Sequence, residues 1–143
     1  MSDGRLRIVS PEGFPPAKGY ANGVVTTGAL LHVGGQIGWH GDGSFASDEL
    51  TDQFGVALDN VISVVRAAGA EPSDIARMTI YVTDLEAYRG AQKPLGAVWR
   101  ARMGRHYPAM ALLGVAGLVE PRAKVEIEAV AVMPAARPSD QDE

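Results

Sequence analysis

A two-layer α+β fold, with two helices laid on one face of a sheet, is what this sequence predicts, and three observations carry the prediction. Apolar residues recur at helical spacing in two segments and alternate with a period of two in several others, so helices and strands take turns along the chain. The strand segments share one apolar side: Val125, Ile127, Ala129 and Ala131 oppose Lys124, Glu126 and Glu128, and Met78, Ile80 and Val82 oppose Arg77, Thr79 and Tyr81. The other side reads as mixed, with Leu30, Met110, Leu112 and Val130 among its polar residues. A mixed face of this kind wants a partner surface, so an oligomer is expected.

Taken in order, residues 5–10 read as a short strand stopped by Pro11, and 14–19 as a Pro/Gly loop. Residues 24–27 and 30–37 have the form of a hairpin turned at Thr27-Gly28, with Leu31, Val33 and Ile37 opposing His32 and Gln36. Residues 38–44 are a glycine-rich loop carrying Trp39 and His40. Ser47 or Asp48 is the expected cap of a helix that runs to Ala68 and stops at Gly69, with Leu50, Phe54, Ala57, Leu58, Val61, Ile62 and Val65 as its buried stripe. Glu71-Pro72-Ser73 is a turn and 76–82 a strand. Thr83-Asp84-Leu85-Glu86 has the form of a capping box. Pro94 does not continue a helix cleanly, so a short turn precedes the main second helix, 94–103, whose inner face is Leu95, Val98, Trp99 and Met103. The last strands are 109–115 and 123–132. Residues 1–133 are thus expected to form one domain, and 134–143 a disordered acidic tail.

Composition removes several function classes. At 143 residues the chain has room for one substantial core. Its 46% hydrophobic and 21% charged residues are ordinary for a globular protein. No run approaches the roughly 20 apolar residues of a membrane span, and no charged leader precedes an apolar stretch, so a cytoplasmic protein without membrane contact is expected. Cysteine is absent, which excludes disulfides, thiolate catalysis and cysteine-held zinc. A net charge of −4, from 13 basic and 17 acidic residues, argues against nucleic acid as a partner. Arg100, Arg102 and Arg105 form the local basic cluster and read as a solvated helix face that complements the C-terminal dipole. His32, His40 and His106 are not spaced as ligands, so no metal site is expected, and His106 reads as a residue at the start of a strand. Gly41-Asp42-Gly43 lacks the glycines and the Lys-Ser/Thr pair of a phosphate cradle.

Six segments carry a family likeness: Gly34-Gly35-Gln36-Ile37, Ala57-Leu58-Asp59-Asn60-Val61, Ala67-Ala68-Gly69-Ala70, the run T-I-Y-V-T-D-L from Thr79 to Leu85, Tyr107-Pro108-Ala109 and Glu126-Ile127-Glu128-Ala129. In their order and spacing, over roughly residues 19–132, the chain resembles the reactive-intermediate deaminase family (Rid, or YjgF-like). The resemblance implies a chorismate-mutase-like α+β fold, a mixed sheet with two helices on one face, and a homotrimer with a small-molecule cleft at each subunit interface. It implies no cofactor. The implied chemistry is hydrolysis of reactive enamines and imines, such as those released by pyridoxal-phosphate enzymes, to a carbonyl compound and ammonia. Relatives were once labelled endoribonucleases, a label the acidic balance here does not support.

The resemblance also implies roles for single residues. Glu126 falls on the family's water-activating glutamate and is the candidate catalytic base, while Glu128 is the more structural of the pair. Against this stands a structural role for Glu126, paired with Lys124, Arg77 or Arg122. Tyr20 lies where the family has the tyrosine of a P-Y-x-Q loop, here changed to Gly19-Tyr20-Ala21-Asn22 with one residue inserted before the next strand. Gly34 replaces the usual serine, and Gln92 stands at the usual asparagine position. Met110 replaces the arginine that grips a substrate carboxylate. Such a pair supplies two charge-assisted hydrogen bonds of about 1.5–3 kcal/mol each, and methionine supplies an adaptable apolar surface instead. Either a cation reaches in from a neighbouring subunit, with Arg89, Lys93, Arg105 and Arg122 available, or the substrate lacks a carboxylate there. A larger or aromatic substrate would suit Met110, Leu112 and Trp39. Trp39 itself is either a lid over the cleft or an interface anchor. The expected protein is therefore a Rid-like hydrolase of a small enamine, imine or related carbonyl metabolite, other than a simple 2-imino acid, in a catabolic pathway. Aminomuconate-type ring-cleavage products illustrate the class by family analogy. The alternative is a non-catalytic trimer that binds a small metabolite or a partner protein in the same cleft.

Overall fold

The structure, a computed structural model, describes residues 4–135. Most of the acidic tail expected at 134–143 lies outside the described residues. Helix α1 (Leu50–Ala67) forms where the apolar stripe places it, with Phe54, Ala57, Leu58, Val61, Ile62 and Val65 buried along one side. Its N-cap is Glu49, not Ser47 or Asp48. Ser47 closes the turn one step earlier, accepting from the Glu49 N–H at 3.0 Å and donating to Asp52 at 2.8 Å. Asp48 is drawn away to Arg122 at 2.9 Å, a charged partner in place of a backbone one. Gly69, at φ +93°, stops the helix in the left-handed region, and the Ala70 N–H returns to the Val65 carbonyl at 3.0 Å.

The main sheet has four strands, β3 (Leu30–Ile37), β4 (Ile75–Val82), β5 (Ala109–Gly114) and β6 (Val125–Val132), in the order β3-β6-β4-β5. β6 runs antiparallel to both β3 and β4, and β5 runs parallel to β4. A parallel pair needs a crossover, supplied by the short helix α2 (Leu85–Gly90) and the longer α3 (Gln92–Met103). Leu58, Val61 and Val65 of α1 meet Ile75, Met78, Val125 and Ile127 of the sheet in a fully buried core. Leu95, Trp99 and Met103 of α3 complete that layer.

Four further expectations are corrected. The hairpin of 24–27 with 30–37 does not form. Instead β2 (Gly23–Thr26) pairs with β1 (Leu6–Val9) in a separate two-stranded sheet, and β3 pairs with β6. Gly28, at φ +121°, is the point where the chain leaves one sheet for the other. Just before it the Thr27 N–H bonds the Arg5 carbonyl, and just after it the Ala29 carbonyl takes the Met133 N–H. The main second helix starts at Gln92 rather than Pro94, with the proline in the first turn, where its missing N–H costs nothing. The short helix before it is capped by Asp84, which accepts from the Ala87 N–H, and not by a Thr83–Glu86 box. Finally, Met110 and Leu112 are not on the mixed face. The parallel register sets Met110 beside Met78 and Leu112 beside Ile80, on the side covered by the helices, and leaves Ala111 and Leu113 beside Thr79 and Tyr81.

Candidate functional site

Strand alternation sends Glu126 and Glu128 away from the helices, alongside Tyr81 and Thr79. The two carboxylates are in different situations. Glu128 accepts a 2.6 Å bond from the Tyr81 hydroxyl. That bond, first, raises the tyrosine above its ordinary pKa of 10.0, helped by desolvation and by the negative charge of Glu128 and Glu126 and opposed by Arg77. The Glu126 carboxylate has no hydrogen bond or ion pair among the described residues. None of the three cations offered as structural partners takes it, and Arg122 is committed to Asp48 and to the face of Phe45, 5.2 Å from the ring centre.

Room for the free carboxylate comes from β3. A register shift between Val33 and Gln36 brings Gly34 and Gly35 past this point. A Cβ on Gly35 would collide with the Glu126 carboxylate, whose Cδ is 2.8 Å from that position. Glycine here lets a side chain of the next strand lie against the backbone. Glu126 lines an open groove of about 340 Å³ with Gln36, Trp39, Leu118, Val119 and Glu120. Trp39 is 40% exposed, and the carbonyls of Trp39 and Ile37 both accept from the Asn60 amide at 2.9 Å. Asn60 of α1 thus holds the loop that carries the tryptophan. The loop closes on itself through a Gly43 N–H to His40 carbonyl bond, and hydrogen bonds from Ser44 hold Asp42 below the ordinary carboxylate pKa.

A second groove, about 330 Å³, opens on the helix side of the sheet, between α3 and β5. Gln92, Met110 and Leu112 line it together with Tyr88 and Arg100. Its wall includes Trp99 and Tyr107, whose rings stack at 5.9 Å and 6°. Tyr20 stands beside it: Gly19 is part of the lining, and the Ala21 N–H bonds the Pro108 carbonyl at 3.0 Å where β5 begins. Gly34 lines neither groove and belongs to a depression on the open face with His32, Arg77 and Glu128. His106 is held away from both, its Nε2 2.7 Å from the Ile75 carbonyl.

Within one chain, then, Glu126 and Trp39 come together, as do Gln92, Met110 and Leu112, and the two sets lie on opposite sides of the sheet. Of the cations expected to reach in from a neighbouring subunit, Arg89 pairs with Glu86 at 2.6 Å and Arg122 with Asp48 at 2.9 Å in their own chain, while Lys93 and Arg105 do not line this chain's second groove. The sequence reading missed Arg100 and Glu120 at these grooves, and Gly35 as the residue that makes space for Glu126. Among the described residues no helix is long and apolar enough to cross a membrane.

A mixed four-stranded sheet with two helices on one face is an α+β architecture of the YjgF/Rid type. A family model described as endoribonuclease L-PSP matches residues 11–133, and the chain belongs to that family, also called Rid. It is 32% identical over 130 residues to the 2-iminobutanoate/2-iminopropanoate deaminase of Escherichia coli K12, covering 88% of this chain and 97% of the relative. Among solved structures it is similar to the Rid protein YyfB of Yersinia pestis, with a TM-score of 0.82 and 28% identity over 90% of this chain and 99% of that one. It is also similar to E. coli TdcF with bound serine, with a TM-score of 0.65 and 31% identity over 90% and 99% of the two chains.

Proposed function

We propose that the protein is a Rid-type hydrolase of a small reactive enamine, imine or related carbonyl metabolite, acting as a homotrimer whose subunits bring the two grooves together. The observation that supports this reading is the unpaired carboxylate of Glu126, placed in a groove by a glycine bulge while its neighbour Glu128 is engaged by Tyr81. A carboxylate in that state can take a proton from a water molecule as the water oxygen bonds to the imine carbon. The resulting carbinolamine then expels its nitrogen as ammonia, with a proton returned to it, and leaves the carbonyl compound. The chemistry consumes water alone and requires no cofactor.

Glu126 and Met110 lie on opposite faces of one sheet, so they share a cleft only across a subunit boundary. The open face supports such a boundary, because its Leu30 and Leu113 are 44% and 46% exposed in the single chain. Light scattering should report a trimer at micromolar concentration, and a stable monomer would sink both the shared cleft and the interface argument.

Met110 distinguishes this cleft from one that grips a 2-imino acid by a strand arginine. The named reaction of the E. coli relative is on 2-iminobutanoate and 2-iminopropanoate; here slow turnover of 2-iminopropionate, generated in situ, is the expected result. Met110→Arg should raise that rate about tenfold or more, the effect of one regained charge-assisted pair. Fast turnover by the unmodified protein would show that a cation already serves simple 2-imino acids, and the substrate reading would fall.

A further inference from the structure

We infer that Arg100 of α3 is the anion-binding residue of the groove between α3 and β5, and that the molecule held there has an apolar or aromatic body and a carboxylate. The inference deepens the reading above and rests on it only in treating this groove as part of the substrate cleft. Gln92, Gly96 and Arg100 recur at intervals of four on α3 and so lie on one stripe, and all three line the groove. Helical side chains lean toward the N-terminus, so Arg100 reaches back over Gly96. Its Nη1 lies 3.2 Å from where a Gly96 Cβ would stand. Glycine inside a helix is unfavourable, and at this position it leaves the notch that the guanidinium uses.

The electrostatics point the same way. Arg66, Arg89, Arg102 and Arg122 each pair with a carboxylate, whereas the guanidinium of Arg100, like those of Arg7, Arg77 and Arg105, has no ion pair or hydrogen bond among the described residues, and of these four Arg100 alone lines the groove. The groove lining holds no Asp or Glu to neutralise it. An uncompensated guanidinium at the edge of a surface made by Tyr88, the stacked Trp99–Tyr107 pair, Met110 and Leu112 suits a ligand with one negative fork and an apolar remainder. The fork of a carboxylate matches two guanidinium N–H groups, and the Gln92 amide adds a neutral donor on the same stripe. The cation that Met110 lacks on the strand is thus supplied from the helix, which places the bound carboxylate against α3 rather than β5. A substrate held this way is longer than a simple 2-imino acid.

Phenylacetate and its neutral counterpart phenylacetamide are suitable probes, titrated by calorimetry or NMR into the wild type, Arg100→Gln, Arg100→Lys and Glu126→Gln. Wild type should bind phenylacetate at least about tenfold more tightly than phenylacetamide, the factor that one charge-assisted pair supplies. Arg100→Gln should erase that preference with an unchanged melting curve, since the side chain is exposed and bonds nothing, and Arg100→Lys should keep part of it. An Arg100→Gln variant that retains the preference, a wild type that shows none, or no binding of phenylacetate at millimolar concentration would each overturn the assignment. Glu126→Gln separates this inference from the hydrolase reading. Carboxylate binding that depends on Arg100, in a protein whose turnover ignores Glu126, leaves the anion site standing and removes the catalytic role. Loss of turnover in Glu126→Gln without any effect of Arg100 on binding does the reverse.

Discussion

Replacing Glu126 by glutamine should lower turnover of an imine or enamine substrate by about 100- to 10,000-fold, the range associated with a positioned general base. The melting temperature should stay within about 2 °C of wild type, since substitutions away from buried networks seldom shift stability by more than about 0.5 kcal/mol. The two halves of this result come from one observation. The Glu126 carboxylate makes no hydrogen bond or ion pair with a described residue, so an amide of the same shape breaks none, but the amide has no basic oxygen with which to take a proton from water. Glu128→Gln is the informative companion. Its Oε1 accepts from Tyr81, a bond that an amide oxygen also accepts, so turnover in that variant should be only modestly changed. Equal turnover by wild type and Glu126→Gln would exclude Glu126 as the base, and a collapsed melting curve would mark it as a structural carboxylate. Either result would move a non-catalytic binding role ahead.

Buried faces set by the period of one segment were legible; helix starts were less so, and pairings that depend on a distant partner were not. The α1 stripe is set by spacing within the helix, and all of its residues except Leu50 are buried as expected. The two faces of β4 and β6 were equally clear, because apolar and polar residues alternate without a break through Met78-Thr79-Ile80-Tyr81-Val82 and Val125-Glu126-Ile127-Glu128-Ala129. The segments on either side of Thr27-Gly28 carry a hairpin pattern, but pairing was decided by β1, near the start of the chain, and β6, near its end. β5 reads Ala109-Met110-Ala111-Leu112-Leu113, nearly apolar throughout, so its period assigns no face; its parallel register against Met78 and Ile80 does. The same distinction separates the site residues. Glu126 could be singled out by its motif, but its freedom from partners depends on Gly35 and on Tyr81 choosing Glu128. Arg100 reads as one of three solvated arginines, and Arg102 does find a partner elsewhere, reaching across to Asp59 of α1 at 2.7 Å. The stripe of Gln92, Gly96 and Arg100 acquires meaning only once β5 supplies the opposite wall of a groove.

Gln53→Leu is expected to be the most destabilising conservative-volume change near the Glu126 groove, and the reason again lies in partners remote in sequence. Gln53 sits on α1 among apolar neighbours and is 1% exposed. Its Nε2 donates to the carbonyls of Ser47 and Arg122, both at 3.0 Å, and its Oε1 accepts from the Lys124 N–H at 2.7 Å. One side chain therefore satisfies three backbone groups and ties the turn before α1 to the segment that leads into β6. The packing leaves no slack. A Cβ on Gly38 would lie 2.6 Å from the Gln53 Cβ and 2.7 Å from its backbone, so the β3 exit and α1 are already in closest approach. Leucine fills nearly the same space but leaves three backbone groups without partners, each a desolvated group costing about 1–3 kcal/mol. A loss of at least about 3 kcal/mol follows, or a drop of about 10 °C in melting temperature for a chain of this size. Because Lys124 and Arg122 stand between Glu120 and Glu126, the variant assayed well below its melting temperature should also show weakened turnover. A Gln53→Leu protein that melts within about 2 °C of wild type would show that water satisfies those groups, and that the start of β6 is held by its ladder alone.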